Sequence, residues 1–202
     1  MATLAPEATH PTRDVEYLFR KARTQNAWLD TPVSDQHLHD LHELARWGPT
    51  SMNCQPMRVL FLRSEAAKER LRPALMDGNV GKAMSAPVVA VIGYDLKFYQ
   101  LLPRLMPFVP GAADMFAADD QLAADTAFRN GCLQGAYFIL AARAAGLDTA
   151  PMSGFDNAAV DAEFWPGGSV KSNFLCALGT GDTARLYARS PRLGFDEVSE
   201  TL

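Results

Sequence analysis

The sequence predicts an α+β fold in which helices cover one mixed sheet. Helical and strand-like patterns alternate along the 202 residues, but not as the regular β-α-β units of a parallel sheet. The composition, 48% hydrophobic and 21% charged, is that of an ordinary globular domain. Neither a repeat nor a low-complexity segment is present. A single domain therefore accounts for the chain, since domains commonly have about 100–200 residues.

The first half of the domain is predicted to hold three helices and two strands. Residues 1–13 contain two prolines and no periodicity, which predicts a frayed or disordered tail before a single domain over 14–202. Apolar spacing and caps predict helices over about 14–25, from the N-cap Ser34 to Gly48-Pro49, and over about 65–76, with strands over 57–62 and 87–93.

The second half is dominated by one long helical pattern over about 119–145. Its stretch of apolar and small residues predicts a central helix that is buried nearly all round. Before it, residues 98–118 combine three prolines with large apolar side chains, which predicts a lid or binding loop. After it, the patterns predict a strand over 148–151, a helix over 157–164, a strand over 173–179 and a basic, proline-containing tail from Ala184.

Charge and cysteine content exclude several classes of protein. A formal net charge of -4 leaves no surplus of positive charge for non-specific nucleic-acid binding. Cys54, Cys132 and Cys176 are widely spaced, which argues against a disulfide framework or a zinc ribbon and predicts buried or bystander thiols in a reducing compartment. No apolar run approaches the roughly 18 residues of a membrane span, and the N-terminus lacks signal-peptide features, so we expect a cytoplasmic protein.

Motifs of phosphate-binding loops and hydrolase nucleophiles are missing from the sequence. It has no G-x-G-x-x-G after a strand, no G-x-x-x-x-G-K-[ST] and no G-x-S-x-G. His37, His39 and His42 share one predicted helix, but only His39 and His42 have a spacing suited to a metal, and no nearby acid completes a known pattern. We interpret them as a solvated helix face and predict no metal site.

Three polar clusters can bind a ligand, although each also has a purely structural interpretation. Segment 23–26 offers a cation, a hydroxyl and an amide that suit a phosphate, or it is a solvated helix end. Amides and hydroxyls between Pro49 and Pro56 form a rigid turn that suits the polar edge of a heterocycle, or a capped loop. The turn 151–156 contains a glycine that lets a flat ligand approach the backbone, or it is a plain turn.

In chain order and separation, these clusters resemble the motifs of the FMN-dependent nitroreductase family. The matching patterns are R-[ST]-x-N at 23–26, P-[ST]-S-x-N-x-Q-P at 49–56, N-x-x-K at 79–82 and P-x-x-G-F-D at 151–156. The resemblance extends from about residue 13 to the C-terminus. It implies a nitroreductase-like fold with a mixed, mostly antiparallel sheet flanked by helices, non-covalently bound FMN, and an intertwined homodimer.

Longer strings resemble one subgroup of that family, the malonic semialdehyde reductases (3-hydroxypropionate dehydrogenases) of the Rut pyrimidine-degradation pathway. They include A-R-T-Q-N-A-W at 22–28, W-G-P-T-S at 47–51, E-R-L-R-P-A-L at 69–75 and T-A-F-R-N at 126–130. The subgroup implies a ping-pong reaction in which NADPH or NADH reduces the flavin and hydride leaves from its N5. It implies no catalytic side chain, because the flavin does the hydride chemistry. The proton donor is left open between water, the flavin ribityl hydroxyl and a side chain.

The family's motifs, carried over residue by residue, imply three groups of flavin contacts. For the phosphate and ribityl chain these are Arg23, Thr24, Asn26, Arg189 and Arg192; for the ribityl chain and the polar edge of the isoalloxazine, Thr50, Ser51, Asn53 and Gln55; and for its N3/O2 side and its face, Asn79, Lys82, Met152, Ser153 and Gly154. Asn26 stands where the wider family usually has a second basic residue, and Ser153 where many relatives have an acid.

The resemblance also implies a substrate pocket in which a carboxylate needs a cation. Arg104 in the 98–118 loop and Arg129 on the long helix are candidates for that cation, and Phe108 and Phe116 for the walls. Two alternatives stay open on the sequence alone: a broad-acceptor nitroreductase or quinone reductase, and a non-catalytic FMN-binding protein. The replacements at Asn26 and Ser153 favour the second. The choice between NADPH and NADH also stays open.

Overall fold

A four-stranded sheet forms the centre of the computed structural model, which describes residues 15–202. Its strands are β1 (Met57–Leu62), β2 (Val88–Asp95), β3 (Asp148–Met152) and β4 (Val170–Gly179), in the order β1-β2-β4-β3. All three strand pairings are antiparallel, which confirms the α+β prediction, although the described strands form a purely antiparallel sheet rather than a mixed one. Between the described residues, parallel pairing is confined to an isolated bridge that joins Thr24 to Thr149.

Helices cover both faces of this sheet. The α-helices in the described residues are α1 (Val15–Leu18), α2 (Asp35–Ala45), α3 (Glu65–Leu71), α4 (Asp77–Met84), α5 (Leu102–Leu105), α6 (Ala112–Ala117), α7 (Asp120–Ala144), α8 (Asn157–Phe164) and α9 (Phe195–Val198). Side chains of α2 and α7 pack on one face of the sheet, and those of α3, α4 and α8 on the other. Segments 88–93 of β2 and 175–179 of β4 are buried on both sides, which is why these parts of the two strands lack a polar face.

Several predicted elements are confirmed at their ends by local capping. Strand β1 and helix α8 have the predicted bounds, and the Asp156 carboxylate accepts the N–H of Ala159 at the start of α8. Helix α2 begins after Ser34, whose hydroxyl accepts the N–H of His37 at 3.2 Å. These side chains satisfy N–H groups that a helix otherwise leaves unpaired.

Two helix predictions in the first half are wrong in extent. The helix predicted over 14–25 ends at Leu18, and the next residues turn into an extended segment whose Gln25 N–H donates to the carbonyl of Thr149. The helix predicted over 65–76 ends at Leu71, and α4 follows where none was predicted. Glycine has a low helix propensity, so Gly78 and Gly81 hid α4 in the sequence.

The segment 98–118 is helical rather than a loop. It contains a 3-10 turn at Phe98–Leu101 and the short helices α5 and α6. Its apolar side chains form their own small core, in which Phe116 is 3% exposed and meets the Phe98 ring at 5.0 Å. Phe116 therefore belongs to this core and does not form the wall of a pocket.

Helix α7 confirms the predicted long helix, but not its burial on all sides. Phe128, Leu133 and Tyr137 are 51%, 48% and 40% exposed at positions spread around half of the helix, outside its buried face. The sheet and α2 cover only the opposite side, which carries Ala127, Phe138 and Ala142. One long helix thus presents an apolar surface that its own chain does not cover.

The structure also bears on three sequence predictions, which concern the cysteine thiols, metal binding and membrane spans. Burial raises the pKa of Cys54 to about 11 and that of Cys176 to about 12, so both thiols stay protonated at neutral pH. Within residues 15–202, no cluster of histidine, cysteine, aspartate and glutamate is arranged to hold a metal ion. The same residues include no helix that is long and apolar enough to cross a membrane. The predicted tail over 1–13 lies outside the described residues.

Two helical glycines should respond oppositely to alanine. A Cβ at Gly135 of α7 would lie 2.5 Å from the Phe174 ring of β4, whereas one at Gly81 of α4 meets nothing within 4 Å. We expect Gly135→Ala to lower the free energy of unfolding by about 1–3 kcal/mol through overpacking. We expect Gly81→Ala to raise it by about 0.5–1 kcal/mol, because alanine favours the helix. Urea denaturation measures both, and equal stabilisation would show that the Phe174 ring simply turns aside.

Candidate functional site

A cationic cavity of about 850 Å³ lies between the segment after α1 and the C-terminal tail. Its lining consists of Phe19, Arg20, Ala22, Arg23, Thr24, Asn26, Arg143, Tyr187, Ala188, Arg189, Ser190 and Arg192. Five of these residues are arginines and none is acidic. The structure therefore brings together all five residues predicted for a phosphate, from opposite ends of the chain.

Reciprocal hydrogen bonds fix the two walls of this cavity to each other. The Arg23 guanidinium donates to the carbonyl of Tyr187 in the tail. In return, Nη2 of Arg189 donates to the carbonyls of Arg20 and Ala22, at 2.7 and 3.0 Å. Each arginine uses some of its five N–H donors for these backbone carbonyls, and the others can donate to a ligand.

Arg20 and Arg143 are functional candidates that the sequence motifs missed. Arg143, in the last turn of α7, is half-buried, and burial lowers its pKa. Its Nε donates to the Thr149 hydroxyl at 3.2 Å and its Nη1 to the Leu18 carbonyl at 3.2 Å. Arg20 forms an ion pair with Glu16 at its outer end. Both arginines add positive charge to the cavity in which Asn26 stands where the wider family usually has a basic residue.

A second, mostly apolar pocket of about 320 Å³ adjoins the sheet edge. It is lined by Cys132, Ala136, Ile139, Pro151, Met152, Ser153 and Phe174. Met152 is nearly buried, while Ser153 is exposed at the mouth. Two residues predicted to lie against a flat ring thus border a pocket with apolar walls.

The two cavities are neighbours on one surface. On α7, Ile139 of the apolar pocket and Arg143 of the cationic cavity are four residues apart, which is about 6 Å along the same helix face. The edge strand β3 runs beside them. Its Thr149, which contacts the Arg143 guanidinium, and its Pro151, which lines the apolar pocket, are two residues apart, about 7 Å along one face of the strand. A ligand with an anionic end and a flat apolar part fits this arrangement.

Asn79 and Gly154 meet beyond the apolar pocket. The Asn79 Nδ2 donates to the Gly154 carbonyl at 2.8 Å, and a Cβ on Gly154 would lie 2.6 Å from that nitrogen. This bond leaves the Asn79 Oδ1 as an acceptor for a ligand N–H. The backbone of Lys82, one turn further along α4, accepts the indole N–H of Trp28 at 2.9 Å and so ties α4 to the segment near the cationic cavity.

The turn at residues 50–56 is strained and lines neither the cationic cavity nor the apolar pocket. Met52, Asn53 and Gln55 have φ angles of 51°, 51° and 41°, a conformation that costs non-glycine residues about 1–2 kcal/mol each. Its predicted flavin contacts bond within the protein: Gln55 Nε2 donates to Asn53 Oδ1, and Asn53 Nδ2 to the Leu105 carbonyl. The Gln55 N–H donates to the Thr50 hydroxyl at 3.3 Å, and Ser51 is exposed.

This turn and the apolar pocket lie on opposite sides of α7. The turn contacts Asn130 and Gln134 of the helix, whereas the pocket contacts Cys132. Two residues correspond to about 200° around a helix axis. One chain therefore does not unite the predicted flavin contacts of the turn with those of the pocket.

Apart from the buried Phe116, the predicted substrate-binding residues are scattered over the protein surface. Arg104 and Phe108 lie on the segment 98–118, where Phe108 is 86% exposed. Arg129 is exposed on α7, three residues before Cys132 of the apolar pocket and therefore on the same side of the helix. Of the two candidate cations, Arg129 is therefore the one that lies on the same side of α7 as the apolar pocket.

Comparison with known proteins agrees with this architecture. A protein of Ralstonia pickettii, HadB, is 52% identical over 183 residues, which cover 90% of this chain and 93% of that protein; it is provisionally named an NADH dehydrogenase/NAD(P)H nitroreductase. A relative from Cupriavidus pinatubonensis with the same provisional name is 53% identical over 188 residues, 92% of this chain and 96% of its own.

A solved structure shares the fold at lower identity. It is provisionally described as a nitroreductase from Exiguobacterium sibiricum in complex with FMN, and it superposes with a TM-score of 0.84 over 96% of this chain and 100% of its own, at 23% identity. The sequence pattern of the nitroreductase family itself matches residues 20–181. That match spans residues 20–26 beside the cationic cavity, the strained turn and the whole sheet. The chain therefore belongs to the nitroreductase family.

Proposed function

We propose that the protein is an FMN-dependent NAD(P)H oxidoreductase. The observation that carries this proposal is the cationic cavity that continues into an apolar pocket along α7 and β3. Five arginines suit a phosphate monoester, and apolar walls suit a flat heterocycle. The relatives named NAD(P)H nitroreductases and the FMN complex of the same fold support the proposal.

The residues present fit this cofactor at each end. Arg23, Arg143 and Arg189 would hold the phosphate, with the Thr24 hydroxyl beside them. The Gly154 carbonyl holds the Nδ2 of Asn79, which leaves its Oδ1 as an acceptor for a ring N–H. Lys82 would place positive charge beside the reduced ring, which favours the reduced state. When bound, FMN would supply hydride transfer between NAD(P)H and an acceptor.

For the acceptor we propose malonic semialdehyde, reduced to 3-hydroxypropionate. The aldehyde carbon takes the hydride and its oxygen takes a proton, while NAD(P)H is oxidised. Arg129 supports an acceptor with a carboxylate, because it places a cation on the pocket side of α7. A nitroarene or quinone acceptor is the competing proposal, and the names of the relatives favour it.

We also propose that the site is completed by a second copy of the chain. The turn 50–56 faces away from the apolar pocket of its own chain, so its flavin contacts would have to come from a partner. The exposed Phe128, Leu133 and Tyr137 on α7 offer an apolar surface for that partner. A homodimer of this kind is also implied by the family resemblance.

The visible absorption spectrum of the purified protein tests the proposal. We expect flavin bands that bleach with NADPH or NADH under anaerobic conditions and return when malonic semialdehyde is added, with formation of 3-hydroxypropionate. Propanal, which has no carboxylate, should restore the bands more slowly. A protein that stays colourless after incubation with FMN would contradict the cofactor. A kcat/KM higher for a nitroarene than for the semialdehyde would contradict the proposed substrate.

A further inference from the structure

Two buried amide side chains of α7 hold the two ends of the strained turn 50–56. Oδ1 of Asn130 accepts the N–H of Ser51 at 2.7 Å, and Oε1 of Gln134 accepts the N–H of Met57 at 2.9 Å. The two side chains are 2% and 4% exposed. They are four residues apart and therefore lie on one face of the helix.

Amides at these positions need an explanation, because burying a polar side chain costs free energy unless its atoms are paired. Asn130 is paired at both ends, since its Nδ2 donates to the Thr126 carbonyl at 2.8 Å. Of the neighbouring buried positions of α7, Ala127, Gly131 and Phe138 are apolar, and Thr126 is polar. The oxygens of both amides accept N–H groups outside α7, from the turn and from the residue that follows it, so the two side chains connect the helix to the turn.

The turn needs such support because its conformation is locally unfavourable. Its three left-handed residues, Met52, Asn53 and Gln55, are not glycines, and backbone of this kind persists only where the surroundings hold it. Bonds within the turn, such as Asn53 N–H to the Thr50 carbonyl, fix its local shape. The bonds from α7 fix both of its ends relative to the long helix.

We propose that Asn130 and Gln134 are positioning residues that hold this turn in the shape in which it contacts FMN. The proposal rests on the proposed function, because the turn acts on a flavin only if the protein binds one. Neither residue touches the cationic cavity or the apolar pocket. Each would act through the backbone of the turn.

The variants Asn130→Leu and Gln134→Leu test the proposal. Each removes one acceptor and leaves a turn N–H unpaired, so we expect the FMN dissociation constant to rise by about tenfold. Asn130→Asp keeps the acceptor oxygen but loses the Nδ2 donor to the Thr126 carbonyl and buries a carboxyl group, so its FMN affinity should fall between those of the wild type and Asn130→Leu. Asn157→Ala is the matched control: it removes two hydrogen bonds to Ser172, at 3.0 and 2.9 Å, on the face of the sheet opposite to α7.

Three measurements separate positioning from general destabilisation. FMN affinity comes from quenching of flavin fluorescence, stability from the Tm of the apoprotein, and the state of the turn from amide hydrogen exchange of Ser51 and Met57 in the apoprotein. We expect the control to lower Tm without changing FMN affinity or the exchange of these two amides. The leucine variants should change all three quantities.

The possible outcomes are distinct. Wild-type affinity for FMN in both leucine variants would overturn the positioning role while leaving the proposed function intact. Loss of affinity in the control as large as in the leucine variants would also overturn it. A wild-type protein that binds no FMN would overturn the proposed function and the positioning role together.

Discussion

Replacing Arg23 by leucine should weaken FMN binding by about tenfold to a hundredfold. Arg23 lines the cationic cavity and contributes one of its five guanidinium groups. A hydrogen bond to a charged group contributes about 1.5–3 kcal/mol, and about 1.4 kcal/mol corresponds to a factor of ten in affinity. Titration of the apoprotein with FMN, followed by flavin fluorescence, measures the change.

Two further variants separate charge from structure in this prediction. Arg23→Lys keeps the charge but loses the planar set of donors, so its affinity should fall between those of the wild type and Arg23→Leu. Arg46→Leu removes an exposed arginine that pairs with Glu43 outside the cavity and should leave affinity unchanged. Unchanged FMN affinity in Arg23→Leu would show that the cavity is not the phosphate site.

The phosphate-binding group illustrates what a sequence can predict. Arg23, Thr24 and Asn26 are adjacent in the chain, and the local pattern was enough to place them together. Arg189 and Arg192 were joined to them only through the family resemblance, and the structure brings all five to one cavity. Arg20 and Arg143 carry no motif. Arg143 reaches the cavity because α7 ends where β3 begins, and that proximity exists only in the fold.

The other differences between the predicted and the observed structure also arise because a local sequence pattern does not show which elements pack together. Local patterns predicted β1 and α8 well, because caps and apolar spacing act over a few residues. The pattern of α7 could not show which side the sheet would cover, since small and apolar residues surround the whole helix. The sequence motifs group the turn 50–56 with the flavin contacts. A single sequence does not show whether a partner chain brings the turn to the site. Its orientation away from the apolar pocket is a property of the folded chain.

Two inactive variants should form an active heterodimer if each site is shared between chains. Arg23→Glu reverses a charge in the cationic cavity, and Ser51→Trp places a bulky group at an exposed position of the turn. Each change should abolish FMN-dependent turnover in its own homodimer. In the mixed dimer, one of the two sites receives an intact cavity from one chain and an intact turn from the other. Co-expression with two affinity tags yields this dimer, and its turnover should be about half that of the wild type.

The reciprocal arrangement supplies the control. A dimer of one wild-type chain and one chain that carries both changes has the same composition of variant residues. If sites are shared between chains, each of its sites contains one damaged half, and turnover should be close to zero. If each chain holds a complete site, the two results exchange: the double-variant dimer retains about half of the wild-type turnover and the mixed dimer none. Because the dimers differ only in how the same two changes are distributed, differences in folding cannot produce this exchange, and the result decides whether the turn acts on its own chain or on its partner.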